Sequence, residues 1–254
     1  MRVLFIGDSI TDCDRDRSDP ADLGSGYVAM VARRHAASAH EHHSPERSDA
    51  GGEPQSFEER EDKPALGERE PSPPSEESEF RDGSGPSGRM CAGEPVEFLN
   101  RGISGDRVRD LRRRWRLDCL DLRPDLVSIL IGVNDTWRRY DSDDPTSVED
   151  FERDYVDVLE RTRHVLPATR VVLLEPFLLP VREDQHTWRE DLDPKLAVVR
   201  RLADSYGATL VPLDVVLQKA AETSGAAALA ADGVHPTSEG HDLIARTWLE
   251  TVPL

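Results

Sequence analysis

Leu126-Val127-Ser128-Ile129-Leu130-Ile131-Gly132-Val133-Asn134-Asp135 is a short aliphatic run that stops at a glycine and two small polar residues. A strand with one wet face alternates apolar and polar residues, whereas an unbroken aliphatic run belongs to a strand covered on both faces, as in a parallel sheet. Working outward, residues 2–6, 96–100, 170–175 and 209–212 read as further strands. Between them lie stretches with helical spacing at 26–37, 106–121, 148–166, 192–206, 214–222 and 237–249. The 106–121 helix carries Val108, Leu111 and Trp115 on one side, and the 148–166 helix carries Phe151, Tyr155, Val158 and Leu159. Strands alternating with helices imply right-handed βαβ units. The fold class is therefore α/β: a flavodoxin-like three-layer α/β/α sandwich around a five-stranded parallel sheet.

The chain has 254 residues and a formal net charge of −18, with only 37% hydrophobic residues. So acidic a chain is not expected to bind nucleic acid or an anionic membrane, because such binding is dominated by neutralising phosphates. Half of the charge, −9, falls in residues 38–95, which hold 15 acidic and 6 basic side chains and 8 of the 18 prolines. That stretch has no strand or helix period and reads as a disordered acidic insert within a single domain spanning 1–254. His40, His42 and His43 lie in it without rigid ligand geometry, so no metal site is expected. No apolar run is long enough to span a bilayer, and the start lacks a signal-peptide pattern, so a soluble cytoplasmic protein is expected. Cys13, Cys91 and Cys119 form no C-x-x-C pair and read as free thiols.

In a parallel α/β sheet, ligands bind beyond the carboxyl ends of the strands. There stand Gly7-Asp8-Ser9, Asn100-Arg101-Gly102-Ile103-Ser104-Gly105 and Gly132-Val133-Asn134-Asp135; Asp232-Gly233-Val234-His235-Pro236 follows near the C-terminus. A serine nucleophile needs a base within reach, a group to orient that base, and donors aimed at the developing oxyanion. Ser9, His235 and Asp232 supply the first three parts. The backbone N–H groups of Ser9 and Gly105 and the amide of Asn134 supply the donors. No phosphate-binding loop and no G-x-S-x-G elbow is present, so no cofactor is expected and the usual α/β-hydrolase arrangement is excluded.

These four clusters, in this order, resemble the SGNH (GDSL-type) hydrolases, whose blocks carry Ser, Gly, Asn and His. The resemblance spans the chain outside residues 38–95. It implies the SGNH hydrolase fold, Ser9 as nucleophile, His235 as base and acid, Asp232 as its orienter, and Gly105 with Asn134 as oxyanion donors. Residues 7–13, 100–106, 131–141 and Glu175-Pro176-Phe177 are similar to an intracellular bacterial branch that includes acetylxylan esterases. This implies a serine esterase removing acetyl groups from sugar hydroxyls on a small-molecule or oligosaccharide ester, and a homo-oligomer.

Trp137, Phe177 and Trp188 are candidates for an apolar, stacking wall beside the site. Arg138 and Arg139 read as surface ion-pair partners, and His35, His164, His186 and His241 as surface or capping residues. Two rival readings stay open. One is a lysophospholipase or thioesterase using the same blocks on a longer acyl chain; the other is a non-catalytic flavodoxin-like binding module.

Overall fold

The computed structural model describes residues 1–41 and 96–254. The expectations for the remainder of the insert, for His42 and His43, and for Cys91 lie outside the described residues, as does the side chain of His40. The described elements in chain order are β1 (Arg2–Gly7), α1 (Ser9–Asp12), α2 (Tyr27–Glu41), β2 (Glu97–Gly102), α3 (Val108–Asp118), β3 (Leu126–Leu130) and α4 (Val133–Asp141). They continue with α5 (Val148–Val165), β4 (Arg170–Leu174), α6 (Arg189–Tyr206), β5 (Thr209–Val211), α7 (Leu213–Ser224), α8 (Ala226–Leu229) and α9 (Ser238–Thr251).

All five strands are parallel, in the order β2-β1-β3-β4-β5. Successive side chains of a strand point to opposite faces, and both faces are filled. Val3 and Phe5 pack with Tyr27, Val31, Leu217, Ile244 and Trp248, whereas Leu4 and Ile6 pack with Leu111, Trp115, Tyr155, Val158 and Val199. The α/β/α sandwich expected from the sequence is thus present, with α2, α7 and α9 on one face and α3, α5 and α6 on the other. Ser128, the polar residue inside the opening aliphatic run, is fully buried and accepts the indole N–H of Trp248 at 2.9 Å. Left unpaired, such a hydroxyl would cost about 1–3 kcal/mol.

Three of the differences from the sequence reading have a visible cause. Helix α2 continues to Glu41 instead of ending at Ala37. Residues 36–41 contain three alanines and no glycine or proline, and the Ser38 hydroxyl bonds back to the Arg34 carbonyl at 3.1 Å. Helix α6 begins at Arg189, three residues before the start expected at Leu192. Its first turn is tied by Arg189 to both Asp214 oxygens (2.7 and 2.9 Å) and by the buried Asp191–Lys195 pair. Helix α4, which has no counterpart in the sequence reading, forms directly after β3 on a Gly132 turn with φ of 130°. Among the described residues no helix is long and apolar enough to cross a membrane.

Candidate active site

The register places Gly7 of β1 beside Gly102 of β2 and Leu130 of β3, so these strands end together. A Cβ at Gly7 would fall 2.0 Å from the Leu130 carbonyl oxygen, so only glycine lets the chain turn there. Asp8 then caps α1 by accepting the Ile10 N–H at 3.0 Å. Ser9, the first residue of that short helix, is left partly exposed at the strand ends.

The C-terminal loop is built around one carboxylate. Asp232 Oδ1 accepts the N–H groups of Val234 (2.9 Å) and His235 (2.7 Å), while Oδ2 lies 2.7 Å from His235 Nδ1. His235 Nε2 lies 2.9 Å from Ser9 Oγ, although the two residues are 226 positions apart. Nδ1–H donating to the carboxylate leaves Nε2 as the acceptor of the serine O–H. Burial alone would raise the Asp232 pKa, but the hydrogen bonds from His235 and Val234 hold it below the ordinary carboxylate value. The relay is open to solvent: the His235 side chain is 46% exposed.

Two of the expected oxyanion donors meet at one residue, since Asp106 follows Gly105 in the chain and accepts from Asn134. Gly105 has φ of 87°, a conformation that favours glycine, and sits in an exposed turn. Asn134, in the first turn of α4, donates one amide hydrogen to the Asp106 carbonyl at 3.1 Å, which leaves the other hydrogen free for an incoming oxygen. The N–H groups of Ser9 and Gly105 have no hydrogen-bond partner among the described residues.

The aromatic candidates separate. Trp137 is partly exposed and its ring centroid lies 5.6 Å from that of His235, so it borders the site. Trp188 is 3% exposed; it backs Trp137 (5.9 Å) and stacks on Tyr140 (5.0 Å) without opening to the site. Phe177 is wholly buried in the core and lines no substrate surface. It follows β4, and the chain there turns inward under the 232–235 loop, Leu179 N–H bonding the Gly233 carbonyl at 2.8 Å. Arg139 pairs with Asp191 at 3.0 Å and Arg138 with Asp141, as ion-pair partners should.

Other residues of the site carry no sequence signal. Gln185 is 1% exposed and donates to the Asp232 carbonyl at 2.7 Å, supporting the loop from behind. His241, read from the sequence as a surface or capping residue, is buried and caps α2: its Nδ1 accepts the Tyr27 N–H (3.2 Å), and its Nε2 lies 3.3 Å from Cys13 Sγ. Burial, then the neighbouring His235, lowers its pKa to about 4. Among the described residues no group of three metal-ligating side chains occurs.

Beneath the site lie two buried carboxyls, Asp8 and Asp135, each with one oxygen lacking a partner. Burial pushes both up to about 7, and the Asp135 charge adds to the rise at Asp8. Their folded values exceed the ordinary 3.8, so the native state holds more protons than the unfolded chain between about pH 4 and 7. The stability they contribute is present below pH 4 and is lost as pH rises through 7. Asp135→Asn should therefore gain stability relative to wild type between pH 5 and 8, on the order of 2–4 kcal/mol. Urea unfolding at the two pH values checks this; parallel pH dependences would refute it.

The GDSL-like lipase/acylhydrolase family matches residues 80–243, more than half of the chain. The chain belongs to this family. It is accordingly a carboxylic ester hydrolase of the SGNH type. The matched span contains Gly105, Asn134, Asp232 and His235, while Ser9 lies in the stretch that a longer alignment adds. An acetylxylan esterase from Geobacillus stearothermophilus is 29% identical over 259 aligned residues, covering 99% of this chain and 93% of the relative. The crystal structure of an acetylxylan esterase from the same organism superimposes with a TM-score of 0.70 at 28% identity, covering 100% of this chain and 94% of that one. A GDSL-like lipase from Parabacteroides merdae gives 0.73 at 29% identity, over 98% and 94% of the two chains.

Proposed function

We propose that this hydrolase is a serine esterase that removes short acyl groups, acetyl first, from carbohydrate hydroxyls through an acyl-enzyme on Ser9. The observation that carries the reading is the unbroken relay from Asp232 through His235 to Ser9, at 2.7 and 2.9 Å. Ser9 Oγ attacks the ester carbonyl as its proton passes to His235 Nε2, and the carboxylate of Asp232 stabilises the imidazolium. The carbonyl oxygen becomes negative while facing the N–H groups of Ser9 and Gly105 and the free amide hydrogen of Asn134. Collapse expels the sugar alkoxide, which takes the proton from His235. A water molecule then gives its proton to the same nitrogen and attacks the acyl-enzyme, returning Ser9 and the free acid.

Two features support a short acyl group and a sugar alcohol. Phe177, expected in an apolar wall beside the site, is buried in the core and offers no surface to a long acyl chain. Trp137 offers a partly exposed indole beside His235, a flat apolar face against which a sugar ring can pack. The acetylxylan esterases among the relatives point the same way. The expected result is that acetyl esters, including acetylated xylo-oligosaccharides, are cleaved at least about tenfold faster in kcat/KM than decanoyl esters. Equal or faster turnover of decanoyl esters or acyl thioesters would replace this reading with a lysophospholipase or thioesterase.

A further inference from the structure

We propose that Arg114 is a positioning residue for the oxyanion hole, setting the direction of the Gly105 N–H and the amide of Asn134 from outside the reacting centre. The inference rests on the reading of Ser9, Gly105 and Asn134 given above.

The turn that presents Gly105 has almost nothing to hold it by packing. Ser104 and Gly105 are exposed, and a Cβ built at Gly105 would meet no atom within 4 Å. The direction of the Gly105 N–H is therefore set by the hydrogen bonds on either side. On one side Asp12 Oδ2 accepts both the N–H (3.2 Å) and the hydroxyl (2.8 Å) of Ser104. On the other side stands Arg114, in the middle of α3, with its side chain 14% exposed.

Its guanidinium makes four hydrogen bonds. Nε donates to Asp106 Oδ2 at 2.6 Å, Nη1 to the Arg101 carbonyl at 2.8 Å and to Asp118 Oδ2 at 2.9 Å, and Nη2 to the Gly7 carbonyl at 3.0 Å. Gly7 leads into Ser9, and its carbonyl also accepts the Ile103 N–H at 3.0 Å. Asp106 follows Gly105, and its carbonyl accepts Asn134 Nδ2 at 3.1 Å. One planar fork thus joins the end of β1 that carries the nucleophile, the end of β2, and the residue on which both other donors are hung. Asp118 keeps the fork in its plane from the next turn of α3. A lysine has one ammonium point and cannot reach acceptors spread around a plane in this way.

Arg114 contacts neither Trp137 nor the Ser9–His235 pair directly, and β1 keeps its pairing with β2 and β3 when the fork is lost, whereas the turn is freed to misalign its N–H. A displacement of about 1 Å at a reacting group costs about 10²-fold in rate. Arg114→Ala should lower kcat for an acetyl ester about 10²-fold with KM changed less than about twofold. A fluorophosphonate places its phosphoryl oxygen in the same hole, so its labelling of Ser9 should slow in the same proportion. Millimolar guanidinium should restore part of both rates in Arg114→Ala, and Arg114→Lys should restore little.

The inference is overturned if folded Arg114→Ala keeps kcat within about threefold of wild type, or if Arg114→Lys is as active as wild type. It is also overturned if kcat falls without slower labelling and without rescue by guanidinium. Should Arg114→Ala fail to fold, Arg114→Lys read by the same kcat, KM and labelling measurements decides between these outcomes. Ser9→Ala run in parallel separates the two levels. Turnover surviving in Ser9→Ala removes the nucleophile assignment itself, whereas its loss beside a fully active Arg114→Ala removes only the role of Arg114.

Discussion

Ser9→Ala should lower kcat for acetyl esters by about 10⁴-fold or more and abolish fluorophosphonate labelling, with thermal unfolding essentially unchanged. The size follows from the chemistry. Without Oγ no acyl-enzyme forms, and what is left is a pocket that binds ester and offers oxyanion donors to water. The fold should not suffer, because the single hydrogen bond of Ser9 Oγ is the one to His235 Nε2 and the side chain fills no core. The α1 turn is held by other groups: Asp8 at its N-terminus through the Ile10 N–H, and the Cys13 N–H to the Ser9 carbonyl at 2.9 Å. The nearest other hydroxyl on the turn cannot take over, since Thr11 is buried and bonded to the Tyr27 hydroxyl at 3.1 Å. Differential scanning calorimetry beside steady-state kinetics checks both halves of the expectation. Turnover within tenfold of wild type in a folded variant would remove Ser9 from the role.

Asp232→Asn should cost nearly as much, about 10³–10⁴-fold in kcat. In the wild type, Oδ1 organises the turn through two backbone N–H groups and Oδ2 orients the imidazole. An asparagine can keep its oxygen on the two backbone amides, so the loop and its glycine turn should persist. It then presents an NH₂ group to Nδ1, which must become an acceptor, so the ring proton moves to Nε2. A protonated Nε2 cannot receive the proton of Ser9. The loss is thus in tautomer and charge with the geometry retained, and it should fall on kcat with KM little altered. Because the carboxylate is held below its usual pKa, wild-type activity should not lose this group to protonation until well into the acid range. An Asp232→Asn enzyme within tenfold of wild type would show that His235 is oriented by other partners.

Much of this was legible in the residues. The aliphatic run 126–131 and its four counterparts predict the five strands, and the two most aliphatic, 3–6 and 126–130, are the ones buried throughout, since a strand inside a parallel sheet has no polar face to show. The three clusters after strands and the fourth near the C-terminus were recognisable because each packs its chemistry into a few neighbouring residues. Asp232 and His235 are three apart, and the turn that joins them is local. The aromatic candidates were not separable in this way. Trp137 and Phe177 both follow a strand and a site block, yet one borders His235 and the other is in the core. Nothing in a residue's type records which way the chain turns after it.

What the sequence by itself determined is the set of reacting groups and the sheet that carries them, because hydrophobic period and strand-end position are local properties of the chain. The tertiary structure decided which of those groups meet and in what state of protonation. The Ser9–His235 bond spans 226 residues, the Arg114–Gly7 bond 107, and the Trp248–Ser128 bond 120. The upward shift of Asp8 and Asp135 and the downward shift of His241 arise from burial, which removes water from the charged form. Desolvation belongs to the packed molecule: the same residues in an open chain would all titrate at their ordinary values.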